Sequence, residues 1–182
     1  MIQKKYFGTD GIRARSNSPK LNGLTMMRLG MSLGKLFTNG EHKHRVVIGK
    51  DTRLSGYAIE QSITSGLLSM GLDVLLLGPI PTPGVAMLAK SMRADLGIMI
   101  SASHNSYLDN GIKIFDKNGN KLSDETELEI ERLMDSSIEE YLVSPEKMGR
   151  AKRLEDANAR YIEFQKNTFP KKINLEGLKI VL

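Results

Sequence analysis

The chain has 182 residues, 40% of them hydrophobic and 26% charged, enough for one domain with its own core. It contains no cysteine, which excludes disulfide frameworks and thiolate zinc sites and fits a reducing compartment. The net charge of +5 is diffuse: residues 1–120 hold fifteen basic and eight acidic groups, and residues 121–140 hold eight acids against Lys121 and Arg132. Few aromatics lie between the basic groups to stack on bases, so a solvated surface or an anion-binding cleft is expected and a nucleic-acid partner is not. The first ten residues carry no apolar signal-peptide core. The longest apolar stretch, Leu72 to Leu77, contains Asp73 and is too short to span a bilayer, so a cytoplasmic protein without a membrane partner is expected.

In chain order, Leu29, Leu33, Leu36 and Phe37 make a helical stripe, with Gly30 and Gly34 permitting close packing on the other side. Arg45 to Asp51 reads as a short buried strand. Ser55 is placed to cap a helix running through Ile59, Ile63 and Leu67 to a stop at Gly71. Leu72 to Gly78 is a second strand, closed by the Pro-Ile-Pro-Thr-Pro turn at 79–83; Val85 to Ser91 is a helix and Asp95 to Ser101 a third strand. Strands that alternate with helices and are apolar on both faces indicate an α/β fold, a mainly parallel mixed sheet sandwiched by helices. Gly111 to Asp116 is a further strand, and Asn118-Gly119 predicts an antiparallel hairpin returning at Lys121-Leu122. Ser123 opens an acidic helix to about Met134. A loosely built stretch (141–153) precedes a helix from about Glu155 to Thr168, and Asn174 to Leu182 reads as the first half of a buried strand. That strand either completes this sheet or belongs to something longer.

The segment from Ile98 to Phe115 carries the most chemistry. A buried strand ends at Ser101, and ligands of open α/β sheets bind in loops at such carboxyl ends. Ser101, Ala102 and Ser103 are small enough for close approach, and the Ser103 hydroxyl could take a phosphoryl group if a neighbour handled its proton. His104 and Lys113 are the local candidates. The alternative is that Ser103 and His104 are ordinary loop residues. A Ser-His-Asp hydrolase is disfavoured, because adjacent Ser and His side chains seldom face one another and no Gly-x-Ser-x-Gly elbow is present. In Tyr6 to Ala14, two glycines bracket Thr9 and Asp10 and could offer backbone N–H groups to an anion, with Arg13 following; a structural turn with a surface arginine is the competing reading. In Gly49 to Gly56, a strand end meets a helix start, which favours anions, although Asp51 and Arg53 could simply pair with each other or with neighbouring loops.

Together the segments FGTDGIRA (7–14), GKDTRLSG (49–56), PIPTPGV (79–85), ISASHN (100–105) and DNGIKIF (109–115) resemble the first domain of the α-D-phosphohexomutases. Within that family the N-terminal segment is most similar to the bacterial phosphoglucosamine mutases. The resemblance implies that residues 1–172 form the phosphoserine domain and that 173–182 begin a second. It implies a phosphorylated Ser103 that gives its phosphoryl group to a hexose or hexosamine phosphate substrate, leaving a bisphosphate that turns over in the site. It implies Arg13 as the active-site arginine, Lys113 as the proton-handling lysine and His104 beside the phosphoserine. It also implies magnesium on a phosphoserine oxygen and on three aspartates of an Asp-Gly-Asp-Gly-Asp loop. That loop is absent from this sequence, so the remaining ligands and domains would belong to a longer parent enzyme. Ser106 stands where the family usually has proline, which implies a less rigid loop.

Overall fold

The computed structural model describes residues 4–181. Val46, Val47 and Ile48 are fully buried, as are Leu96, Ile98 and Ile100, so these runs can only sit in the middle of a covered sheet. They belong to β3 (Arg45–Lys50) and β5 (Leu96–Ile100). With β1 (Phe7–Gly8), β2 (Gly11–Arg15), β4 (Asp73–Pro79), β6 (Asp109–Asp116) and β7 (Ala151–Arg153) they form one sheet in the order β1-β2-β6-β5-β3-β4-β7. The pairings from β5 through β3 and β4 to β7 are parallel; those of β1 with β2, β2 with β6 and β5 with β6 are antiparallel.

Alternation along the strands divides the core between two layers of helices. Val46 and Ile48 face the side packed by α1 (Gly23–Phe37), α2 (Ser55–Ser69) and α4 (Asp124–Met134), while Val47 faces α3 (Thr82–Ser91) and α5 (Ala157–Thr168). The α1–α2 contact is a backbone-to-backbone approach. A Cβ on Gly30 would lie 2.4 Å from the Ile63 carbonyl oxygen, and one on Gly66 would lie 2.3 Å from that of Met27.

The expected α/β sandwich is therefore present, and its differences from the sequence reading are local. The 7–14 segment is a hairpin rather than a loop: β1 and β2 flank the Thr9-Asp10 turn, and Gly11 at φ 79° makes the tight exit. The antiparallel part of the sheet accordingly reaches from β5 to β1. The Asn118-Gly119 turn forms, but its return is the single bridge from Phe115 to Lys121. Ser55 does not cap α2; its Oγ accepts a hydrogen bond from Asn110 Nδ2 (2.9 Å), fastening β6 to the start of α2. Helix α3 begins inside the proline turn, at Thr82, where Pro83 suits the first turn. The loose 141–153 stretch contributes the short edge strand β7, held by backbone bonds to β4 and carrying no apolar signature. Residues 174–181 pair with neither sheet edge and are exposed, Ile180 and Val181 included; Leu182 lies outside the described residues.

The acidic helix α4 begins where its sequence indicates, with Ser123 Oγ accepting the Thr126 N–H (3.3 Å), but it is not a solvated charge run. The Glu131 carboxylate accepts the backbone N–H groups of Lys5 (2.8 Å), Tyr6 (2.6 Å) and Phe7 (2.8 Å), and buried Glu127 pairs with Lys4. The acids of α4 thus hold the N-terminal strand in place. The Gly30–Gly66 contact yields a test in which two effects have opposite signs. Alanine at 66 gains about 1 kcal/mol of helix propensity, but it forces the two backbones apart. We expect Gly66→Ala to lower stability by about 1–3 kcal/mol, seen as a lower urea midpoint; an unchanged or raised midpoint would contradict the packing described.

Candidate active site

The carboxyl ends of β3 and β5 lie side by side, with Lys50 opposite Ile100 and the Asp51 N–H bonded to the Ile100 carbonyl (3.0 Å). The chain leaving β5 forms the loop 101–108 and re-enters the sheet as β6. That loop turns by placing Ser103 in the left-handed region, at φ 57°, a conformation that costs a non-glycine residue on the order of 1–2 kcal/mol. Ser101 Oγ accepts the Ser103 N–H (3.1 Å), and the Asn105 N–H closes onto the Ala102 carbonyl (3.1 Å). Ser101 and Ala102 are buried while Ser103 and His104 are exposed, so the turn lifts the serine hydroxyl off a rigid base.

Arg53 secures this turn. Its side chain is only 10% exposed and is oriented by Asp51, whose carboxylate takes Arg53 Nε at 2.8 Å and the Arg53 backbone N–H at 3.0 Å. The two terminal nitrogens donate to the carbonyls of Ser103 (3.0 Å), Asn105 (2.9 Å), Asp109 (3.0 Å) and Ser106. A rigid fork of donors suits this task as a lysine would not. The pairing of Asp51 and Arg53 with each other and with a neighbouring loop, the plainer of the two readings of GKDTRLSG, is therefore what the structure shows. Sequence alone did not reveal that the neighbouring loop is the serine loop.

Arg13, on β2, reaches the same loop from the other side. Its Nη1 lies 3.4 Å from Asn105 Oδ1, its Nη2 donates to Asp10, and its Nε is buried without a partner among the described residues. Lys113, on β6 opposite Met99, places Nζ 2.9 Å from Asp10 Oδ2. Asp10 thus joins Arg13 to Lys113, a role the sequence reading did not assign to it. Hydrogen bonding to Lys113 is the largest influence on Asp10; with both cations beside it, it holds the carboxyl below its ordinary value despite partial burial. His104 Nδ1 stands 3.5 Å from Ser103 Oγ, at the outer limit for a hydrogen bond. The structure therefore brings the loops carrying Ser103, His104, Arg13 and Lys113 together; among the described residues Arg13 and Lys113 connect to the serine loop through Asn105 and Asp10, not by direct bonds to Ser103. The arrangement is a raised hydroxyl beside permanent positive charge, which is what a phosphoryl group requires.

The family model for "Phosphoglucomutase/phosphomannomutase, alpha/beta/alpha domain I" matches residues 4–141. The chain belongs to this family. Phosphoglucosamine mutases of Parvibaculum lavamentivorans and Granulibacter bethesdensis are 60% and 58% identical to it over its whole length. The chain spans about 40% of the length of each. A solved structure described as a putative phosphomannomutase from Thermus thermophilus superimposes on 91% of the chain, and on 36% of its own, with a TM-score of 0.76 at 29% identity. No helix of the described residues is long and apolar enough to cross a membrane.

Two outcomes test this geometry. Arg53→Ala removes the shared donor of four loop carbonyls, so the Asn105 and Asp109 amides should exchange with deuterium at least about tenfold faster, reflecting a local loss of about 1.4 kcal/mol or more, while β3 amides stay protected; unchanged loop protection would contradict the role of Arg53. For Asp10, the lowered carboxyl value means that its ion pairs contribute stability above the ordinary value of 3.8, and that this contribution is lost as pH falls through and below it. The stability difference between the native chain and Asp10→Asn should therefore be constant at neutral pH and vanish in acid; a difference that persists in acid would contradict the pairing.

Proposed function

We propose that the chain is the phosphoserine domain of a phosphoglucosamine mutase, interconverting glucosamine 6-phosphate and glucosamine 1-phosphate through a bisphosphate. The observation that carries this reading is Ser103: a strained, exposed serine on a buried base, with its turn fixed by Arg53 and its loop met at Asn105 by Arg13. The relatives named above, at 60% and 58% identity, carry that enzyme's name, whereas the phosphomannomutase likeness stands at 29%.

In the proposed reaction, phosphorylated Ser103 gives its phosphoryl group to a free hydroxyl of the sugar phosphate. The bond from Ser103 Oγ to phosphorus breaks, the sugar oxygen to phosphorus bond forms, and Ser103 Oγ regains a proton as the sugar hydroxyl loses one. The bisphosphate then returns its other phosphoryl group to Ser103. Arg13 neutralises charge on the phosphoryl oxygens, Lys113 handles the proton, and His104 flanks the serine.

The residues around Ser103 do not make a magnesium site by themselves. Magnesium requires near-octahedral oxygen ligands, but Asp10 and Asp51 are committed to Arg13, Lys113 and Arg53. A magnesium ion would have one phosphoserine oxygen from this chain and its other ligands from further domains of a longer enzyme, of which residues 1–172 would be the first domain and 173–182 the start of the second. The setting would be the cytoplasm, with a sugar phosphate and the remaining domains as partners.

Turnover on three sugar phosphates tests the reading. The 182-residue chain alone should show no appreciable mutase activity. The longer enzyme should prefer glucosamine 6-phosphate over the glucose and mannose 6-phosphates, and Ser103→Ala should reduce it to background. Robust turnover by the chain alone, or by the Ser103→Ala enzyme, would contradict it.

A further inference from the structure

At the opposite end of the sheet from Ser103, three potential metal ligands meet at the entries of β3 and β5. His42 and His44 lie two residues apart just before β3. Asp95 lies just before β5 and is locked beside them: its N–H donates to the Arg45 carbonyl (2.8 Å), and its Oδ2 accepts the Arg45 N–H (2.8 Å). The other oxygen, Oδ1, stands 2.9 Å from His42 Nε2 and 3.4 Å from His44 Nδ1, and the ligand atoms of all three residues lie within 4.8 Å of one another. The imidazole rings are 4.0 Å apart between centroids. His44 is 5% exposed, and neither of its ring nitrogens has a hydrogen-bond partner among the described residues. An imidazole always carries at least one N–H or one lone pair to satisfy, so a buried orphan of this kind calls for a water or an ion.

We propose that His42, His44 and Asp95 form a binding site for a divalent transition cation of the zinc class, with a fourth position open to solvent beside exposed His42. Imidazole and carboxylate are ordinary donors for such ions. Metal–ligand bonds of about 2.0–2.1 Å in a tetrahedron set ligand atoms about 3.3 Å apart. The His44–Asp95 separation of 3.4 Å already matches, the His42–Asp95 pair at 2.9 Å needs to open by about 0.4 Å, and the two imidazole donors, which lie within 4.8 Å of each other, would close on the ion by rotation of exposed His42. The Arg45 N–H on Asp95 Oδ2 supplies the outer support that orients a ligating carboxylate. The adjacent cations are engaged elsewhere: Lys43 with Asp73 (3.5 Å) and Arg45 with the Met92 carbonyl (3.3 Å). The site is separate from the phosphoryl chemistry, and its nitrogen donors do not suit magnesium. Its effect would be to tie the segment entering β3 to the start of β5.

The test is a zinc titration of the untagged, chelator-treated chain, read by calorimetry and by the imidazole resonances in NMR. One zinc ion per chain should bind, shifting the His42 and His44 ring signals together, and excess magnesium should not displace it. Loss of a residue that only supports a ligand costs about 10- to 100-fold in affinity, so His42→Gln and Asp95→Asn should each weaken binding at least that much. His42 is well exposed, and its substitution leaves the core untouched. Absence of saturable one-to-one binding, stationary imidazole signals, or binding retained by both variants would overturn the proposal.

Discussion

One guanidinium group organises the candidate active site. Arg53 follows the end of β3 and presents its donors to three carbonyls of the loop that leaves β5 and to that of Asp109 at the start of β6, while Asp51 fixes its orientation. Carbonyl oxygens crowded at a tight turn repel one another, and a buried cation with a planar set of donors is the simplest group that can gather them. The strained Ser103 conformation persists because this grip, with the Ser101 hydroxyl beneath, over-determines the turn. Without Arg53 only the Ser101 hydroxyl and the Asn105-to-Ala102 backbone bond would hold the serine in the left-handed region.

Charges elsewhere in the domain are committed in the same way. The acids of α4 hold the backbone and Lys4 at the start of the chain, which positions β1 and therefore the Asp10 turn. Asp10 in turn keeps Arg13 and Lys113 side by side, where two unpaired cations would separate. Positive charge is thereby gathered around the serine loop, from Arg13 at Asn105 and Arg53 at the Ser103 carbonyl, while the carboxylates of Asp10 and Asp51 are paired with cations. The same commitment explains why a magnesium site cannot close from these residues alone.

Much of the fold was legible because apolar runs such as Val46-Val47-Ile48 and Leu96 to Ile100 must be covered on both faces. The close approach at Gly30 was legible too, since a helix face without side chains invites a neighbour. What stayed hidden was set by partners distant in sequence. The β1–β2 hairpin is too short for periodicity to show, and it holds its place through Glu131, more than a hundred residues away. Strand β7 is polar and three residues long, and only its backbone bonds to β4 define it. Ser55 had the right identity for a helix cap, but Asn110 competes for its hydroxyl. The motif residues of the site were readable as chemistry, whereas Arg53 and Asp10 had to be seen in place: a pairing within GKDTRLSG says nothing about which loop it supports.

The most direct test is to locate the transferred phosphoryl group. The longer enzyme, in which the remaining domains would complete the site, would be incubated with glucosamine 1,6-bisphosphate and magnesium, then digested and sequenced by mass spectrometry. The expected result is a single phosphorylated residue, Ser103, in the peptide that also carries His104. A phosphoryl group on Ser101, Ser106 or elsewhere, with Ser103 unmodified in chain isolated from cells as well, would contradict the role given to Ser103.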